Sequence, residues 1–156
     1  MQVHVWLPTA GNPGHTSLAV GEDYISFWPE GGGATTKNDL KYRRSHPGML
    51  VQSLQTDIRL EQYRRPITVE LQGLNEAAVL DYLAGLRANT PRFQMARNNC
   101  SYVVATALEA GAGGKASFKP NAGKYGMLGR FLGGGIWTPD QVLKFARELA
   151  AKSNPV

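Results

Sequence analysis

The sequence is short of the residues that build several common kinds of site. Cys100 is its one cysteine, which excludes an internal disulfide and a cysteine-cluster zinc site. The three histidines are scattered and have no carboxylate cluster beside them, so they give no metal signature. A glycine-rich phosphate loop between a strand and a helix is absent, as is a Gly-x-Ser-x-Gly nucleophile elbow. We therefore expect no metal and no other cofactor.

Membrane and targeting signals are also lacking. No apolar run approaches the ~20 residues that a membrane span needs. The first residues show neither the basic region nor the apolar run of a signal peptide. The formal charge of +5 is moderate and scattered, so nucleic acid is not an expected partner. A length of 156 residues suits a single domain with its own core, over residues 1–156.

The strand signals lie in the first half of the chain. Apolar alternation predicts a strand at residues 2–7, and residues 16–20 and 24–28 read as a hairpin around the turn at 21–23. Residues 66–71 predict a further strand. Residues 34–56 follow neither the strand period nor the helix period and are polar and basic, which favours a solvated loop.

Three helices are predicted from apolar stripes and from end signals. They cover residues 76–86 after the cap Asn75, residues 101–110 after Asn98 and Asn99, and residues 139–150 starting at Pro139. The expected fold is α+β, with an antiparallel sheet packed on the helix that begins near Cys100 and with two further helices.

Cys100 stands at a place where a thiolate is favoured. In the first turn of a helix, unpaired backbone N–H groups and the positive end of the helix dipole stabilise an anion, which lowers the thiol pKa. A thiolate is the nucleophile of cysteine chemistry. The alternative is that Cys100 is a small buried apolar side chain with no chemical role.

His15 is the best partner for that thiol. It opens the first hairpin strand, a rigid place from which to aim a side chain, and it gives the only nucleophile–base pair with good local context. His4 lies on a strand face beside Trp6, where packing or surface exposure is the better interpretation, and His46 lies in the polar loop.

A second class of function is a binding module without catalysis. The basic stretches at residues 37–44 and 115–130, the latter with interleaved aromatics, would contact an anionic partner. Charge reversal of Lys41, Arg43 and Arg44 would then matter, whereas loss of the Cys100 thiol would not.

Three short motifs carry a resemblance to a known superfamily. They are Gly-His-Thr-Ser-Leu-Ala-Val at residues 14–20, Tyr-Ile-Ser-Phe-Trp-Pro at 24–29 and Asn-Cys-Ser at 99–101. Together they resemble the circularly permuted papain-like superfamily, which includes permuted NlpC-type peptidases and lecithin:retinol acyltransferase-like enzymes. In that group a histidine on a strand precedes an Asn-Cys motif that opens a helix. The resemblance implies a circularly permuted papain-like fold.

The resemblance also assigns roles to residues of this chain. Cys100 would be the nucleophile, His15 the general base, and Ser26 would hold the third position, where the acyltransferase branch has a histidine. Because a serine cannot stabilise an imidazolium as a carboxylate does, Glu30, Glu22 or Asp23 are the alternatives for that position. The oxyanion hole would use the backbone N–H of Cys100 and a second donor, from residues before His15 or from a side chain such as Asn98.

The function implied is that of a cysteine hydrolase, a peptidase or amidase that works through a thioester. The chain is similar to the toxic tips of bacterial secretion-system effectors, which implies an interbacterial toxin that cleaves a protein in the cytoplasm of the target cell. The expected partners are a protein or peptide substrate and a cognate immunity protein. The alternatives are a peptidoglycan amidase or endopeptidase and, more weakly, a lipid acyltransferase.

Overall fold

The computed structural model describes residues 1–40, 43–114, 118–121 and 135–153. Its architecture is mixed α+β, as the sequence predicts, around an antiparallel sheet with the strand order β4-β3-β2-β1-β5. The elements in chain order are β1 (Gln2–Trp6), β2 (His15–Val20), β3 (Asp23–Pro29), α1 (Ala34–Asp39), β4 (Gly48–Val51), α2 (Leu54–Leu60), β5 (Ile67–Glu70), α3 (Glu76–Ala88), α4 (Cys100–Gly111) and α5 (Pro139–Ser153).

The two faces of the sheet differ in chemistry. Side chains alternate along each strand, and paired residues share a face, so Val3 and Leu18 lie on one face and Trp6 and His15 on the other. The first face packs on α3, α4 and α5 to form the main apolar core. The second face carries a row of buried polar or N–H-bearing side chains: His4, Trp6, His15, Ser17, Tyr24, Ser26 and Trp28.

Side-chain caps fix the starts of two helices, as the sequence predicts. Asn75 accepts a hydrogen bond from the backbone N–H of Ala78, and Asn99 accepts one from that of Tyr102. Of the two predicted caps of α4, Asn98 and Asn99, it is Asn99 that caps the helix, and the helix starts at Cys100.

The prediction that residues 34–56 form a loop was wrong. The segment contains α1 and β4, and α2 begins at its end, so the fold has more helices than the three predicted. Ser53 caps α2 by accepting from the backbone N–H of Thr56. The buried residue of α2 is Asp57, which is polar, so an apolar stripe could not reveal the helix.

The predicted basic segment at residues 115–130 is described only at residues 118–121, and its other residues lie outside the described ranges, as does Lys41. The ring of Phe118 stacks on Trp137 and Phe145, with ring centroids 5.5 and 5.3 Å away. This part of the segment therefore covers an edge of the core. Every helix within the described ranges is too short or too polar to cross a membrane.

Candidate active site

The site forms where two elements begin. His15 is the first residue of β2 and Cys100 the first of α4, and α4 packs directly on β2. Both side chains are buried, His15 completely. The Nδ1 atom of His15 has no hydrogen-bond partner in the described part of the chain.

The thiol of Cys100 is strongly acidic for a buried group. Burial alone would raise its pKa, but the charge of His15 is the largest of the effects that together outweigh burial and lower the pKa to about 6. The nearby positive charge of Lys37 acts in the same direction. Cys100 is therefore mostly a thiolate at neutral pH, which is the form needed for nucleophilic attack.

The other nitrogen of His15 leads to a buried carboxylate. Nε2 lies 2.6 Å from the Ser26 hydroxyl, which donates to Asp57 Oδ1 at 2.8 Å. Asp57 Oδ2 also lies 3.6 Å from His15 Nε2, within ion-pair distance. The structure thus brings Cys100, His15 and Ser26 together, as the motifs suggest, and adds Asp57 behind the serine.

Asp57 is held ionised by its surroundings. It accepts hydrogen bonds from the Tyr24 hydroxyl at 2.5 Å and the Trp28 indole N–H at 2.8 Å, besides the one from Ser26. Burial would raise its pKa, but the charge of His15 and the hydrogen bonds from Tyr24 and Ser26 lower the pKa below its ordinary value.

Two neighbouring anions act on the pKa of the His15 imidazole. Burial would lower its pKa, but the charges of Cys100 and Asp57 raise the pKa above its ordinary value. The electrostatics therefore favour a thiolate–imidazolium pair backed by a carboxylate.

The acidic residues considered from sequence do not take the position of Asp57. Glu22 and Glu30 are exposed, and Asp23 forms an ion pair with Arg87 at 2.7 Å. Within the described residues, the side-chain oxygen atoms found at hydrogen-bond or ion-pair distance of the His15 imidazole belong to Ser26 and Asp57. Sequence reasoning missed Asp57, and the one local signal for its helix was the cap Ser53.

The two asparagines before Cys100 serve the backbone. Asn99 caps α4 and donates from Nδ2 to the carbonyls of Met95 and Trp137, at 2.9 and 3.0 Å. Asn98 donates to the Arg92 carbonyl at 2.8 Å, which turns its amide toward its own loop. Both side chains thus fix the approach to Cys100.

A cavity of about 350 Å³ opens beside the thiol. Its walls include Cys100, Lys37 and the loop from Pro8 to Gly14. Apolar side chains dominate the rest of the lining: Pro8, Pro13, Phe93, Met95, Ile136, Trp137 and Pro139. The group bound next to the thiol is therefore expected to be apolar.

Gly14 lets the chain pass close to β1 directly before His15. Its φ is +81°, and an added Cβ would lie 2.3 Å from the Trp6 carbonyl oxygen. We expect Gly14→Ala to lower the free energy of unfolding by about 2–4 kcal/mol, measured by urea denaturation.

Gly11 is the matched control for that substitution. It also has a positive φ, +74°, but an added Cβ would meet nothing within 4 Å. Gly11→Ala should therefore cost only about 1 kcal/mol. Equal losses in the two variants would mean that backbone strain, and not the close approach to Trp6, sets the cost.

The other histidines lie away from this arrangement. His4 is buried, with Nδ1 3.0 Å from the Thr68 hydroxyl, and burial lowers its pKa. His46 pairs through its backbone with Phe93. His4 is therefore a packed side chain, one of the two interpretations that its sequence position allowed.

Comparison with known proteins gives one family. The family model described as the IcsB middle domain matches residues 49–155, about two thirds of the chain. The matched range contains Asp57 and Cys100, whereas His15 and Ser26 precede it. No curated protein and no solved structure shows significant similarity to the chain.

Proposed function

The chain belongs to the IcsB middle-domain family, which indicates a secreted bacterial effector, and we propose that it is a thiol-dependent hydrolase. One observation carries the proposal: Cys100 and His15 are buried close enough that the charge of each shifts the pKa of the other, with Asp57 3.6 Å from the imidazole. We further propose that it cleaves a peptide or side-chain amide of a protein in the target-cell cytoplasm.

The site supports acyl transfer in two steps. The Cys100 thiolate attacks the amide carbonyl carbon, and the backbone N–H of Cys100 would stabilise the oxyanion that forms. The His15 imidazolium gives its proton to the leaving amine as the carbon–nitrogen bond breaks, which leaves a thioester. His15 then takes a proton from water, the resulting hydroxide attacks the thioester, and the acid product leaves with the thiolate restored.

Ser26 and Asp57 would act on the imidazole throughout this sequence. The hydrogen bond at Nε2 would fix the orientation of the ring and leave Nδ1 for proton transfer, and the carboxylate would stabilise the imidazolium. The Ser26 hydroxyl accepts a hydrogen bond from His15 and donates one to Asp57. It therefore connects the carboxylate to the imidazole while remaining neutral.

A partner protein follows from the same proposal. A toxic effector needs a cognate immunity protein in the cell that makes it, and the net charge of +5 favours an acidic partner through electrostatic steering.

The test is expression of the chain in the cytoplasm of bacterial and of yeast cells, with an exported form for comparison. We expect growth arrest from the cytoplasmic form and its loss in Cys100→Ala and in His15→Ala. Asp23→Asn, which removes an exposed carboxylate, should stay toxic. Toxicity only after export would favour peptidoglycan as the substrate. Toxicity that survives Cys100→Ala would overturn catalysis and favour the binding module.

A lipid acyltransferase is the second candidate, and the apolar cavity beside Cys100 favours it. A fatty acyl ester or thioester bound in that cavity would acylate Cys100 and release its alcohol or thiol, and an amine or hydroxyl would then replace water as the acceptor. The two candidates differ in their response to p-nitrophenyl esters. Faster acylation of Cys100 by the decanoate than by the acetate, measured by intact mass, would support an acyl-chain site. Equal rates, or a faster reaction with the acetate, would count against it.

A further inference from the structure

Lys37 is a lysine buried inside the fold. It is 2% exposed, and its ammonium donates to the Gly14 carbonyl oxygen and to Glu61 Oε1, the latter at 2.8 Å. The ammonium also lies 4.1 Å from the centroid of the Trp28 ring. A buried ammonium is costly unless it is paired, so a surface role does not explain its position.

Two residues that Lys37 contacts, Gly14 and Trp28, adjoin the candidate site. Gly14 directly precedes His15 in the chain. Trp28 stacks on the His15 ring, with centroids 4.1 Å apart, and donates to Asp57. Lys37 itself lines the cavity that contains Cys100.

Glu61 anchors this ammonium and the loop before His15 together. Glu61 is completely buried and accepts from Arg64 at 2.6 Å and from Asn12 at 2.9 Å, besides the hydrogen bond from Lys37. Asn12 in turn accepts from the backbone N–H of Gly14 at 2.8 Å. Lys37 and Glu61 thus form a buried ion pair on one side of the site, with one charge of each sign.

We propose that Lys37 is a positioning residue that sets the charge balance of the Cys100–His15 pair. Anchored by Gly14 and Glu61, its fixed positive charge favours the thiolate form of Cys100 and restrains the protonation of His15. The inference rests on the proposed function, since it concerns the state of the proposed nucleophile and base.

The signs of two pKa changes separate this role from a purely structural one. Removing a positive charge near both groups should raise the pKa of Cys100 and that of His15. If Lys37 only held the backbone in place, its loss would move the thiol and imidazole apart. The Cys100 pKa would then rise while the His15 pKa fell, because each would lose its oppositely charged partner.

The experiment measures both groups in four variants of the chain. The Cys100 pKa comes from the rate of iodoacetamide alkylation against pH, and the His15 pKa from NMR of the imidazole. In Lys37→Met we expect both pKa values to rise, that of Cys100 by about one unit, which makes alkylation about tenfold slower at pH values below the midpoint. Glu61→Gln should lower both. Lys37→Arg and the double variant Lys37→Met/Glu61→Gln should stay near the wild type.

Each outcome decides the inference. A rise at Cys100 with a fall at His15 in Lys37→Met would overturn the charge role, and so would unchanged values in both. If Lys37→Met does not fold, Glu61→Gln and the double variant decide, because the double variant removes both charges together and Glu61→Gln leaves the Lys37 ammonium its hydrogen bond to the Gly14 carbonyl oxygen. In that case, an unchanged Cys100 pKa in Glu61→Gln would overturn the charge role of Lys37. The proposed function fails separately, if His15→Ala leaves the Cys100 pKa unchanged.

Discussion

Asp57→Asn should slow acyl transfer at Cys100 by about a thousandfold, because the imidazolium of His15 loses the carboxylate that stabilises it. Asp57 is completely buried and ionised, so its charge acts on His15 with little screening by water. The measurement is the turnover of p-nitrophenyl acetate at neutral pH, with the deacylation rate followed separately.

Asp23→Asn is the control for that loss. Asp23 is the acidic residue nearest to Ser26 in the sequence, but its partner is Arg87 at 2.7 Å. We expect its turnover within a factor of two of the wild type. A loss of less than about tenfold in Asp57→Asn would mean that the Ser26 hydrogen bond alone orients His15.

The same substitution should also lower stability in a pH-dependent way. An asparagine amide would place hydrogens where the donors of Tyr24, Ser26 and Trp28 converge, at a cost of about 2–4 kcal/mol. Folding lowers the Asp57 pKa below its ordinary value of 3.8, so the stabilisation is present above that value and lost as the pH falls through the folded pKa. The difference in unfolding free energy between wild type and variant should therefore shrink in acid.

His15→Ala should return the Cys100 thiol to a pKa at or above its ordinary value of 9.0. The imidazole supplies the largest effects that lower this pKa, and burial, which raises it, remains in the variant. At pH 7 the thiolate fraction should fall about a hundredfold. Intrinsic nucleophilicity rises with the pKa, so the midpoint of the alkylation profile is the better measure than one rate.

His4→Ala is the matched control, because His4 is another buried histidine on the same face of the sheet. Its side chain bonds Thr68, not Cys100, so the thiol midpoint should stay near pH 6. If His15→Ala kept that midpoint as well, the start of α4 and the charge of Lys37 would suffice to acidify the thiol, and His15 would lose its proposed role.

Many of the strands and helices that carry the site could be predicted, because the sequence signals for them are local. His15 and Cys100 each begin an element, and strand alternation and the cap Asn99 indicate those elements through residues next to one another in the chain. The assignment of Ser26 rests on the resemblance, and the structure places this residue on the strand adjacent to that of His15 and on the same face. These relations need only the strand period and a turn.

Asp57 and Lys37 could not be predicted in this way. Both lie on short helices whose buried side chains are polar, so the apolar period that marks a helix is missing. What keeps them buried is bonding to distant residues: Asp57 to strand β3, and Lys37 to Gly14 and Glu61. A single sequence contains no signal for such contacts between elements that are far apart in the chain.

The strand order divides the site between two pieces of chain. The central strands β1, β2 and β3 all precede residue 30, whereas the edge strands β4 and β5 follow residue 47. A cut between Arg44 and Ser45 would leave His15, Ser26 and Lys37 on one fragment and Asp57 and Cys100 on the other. Neither fragment alone would contain both Cys100 and the histidine that lowers its pKa. The domain could thus serve as a split reporter, in which rapid alkylation of Cys100 signals that two fused proteins have met.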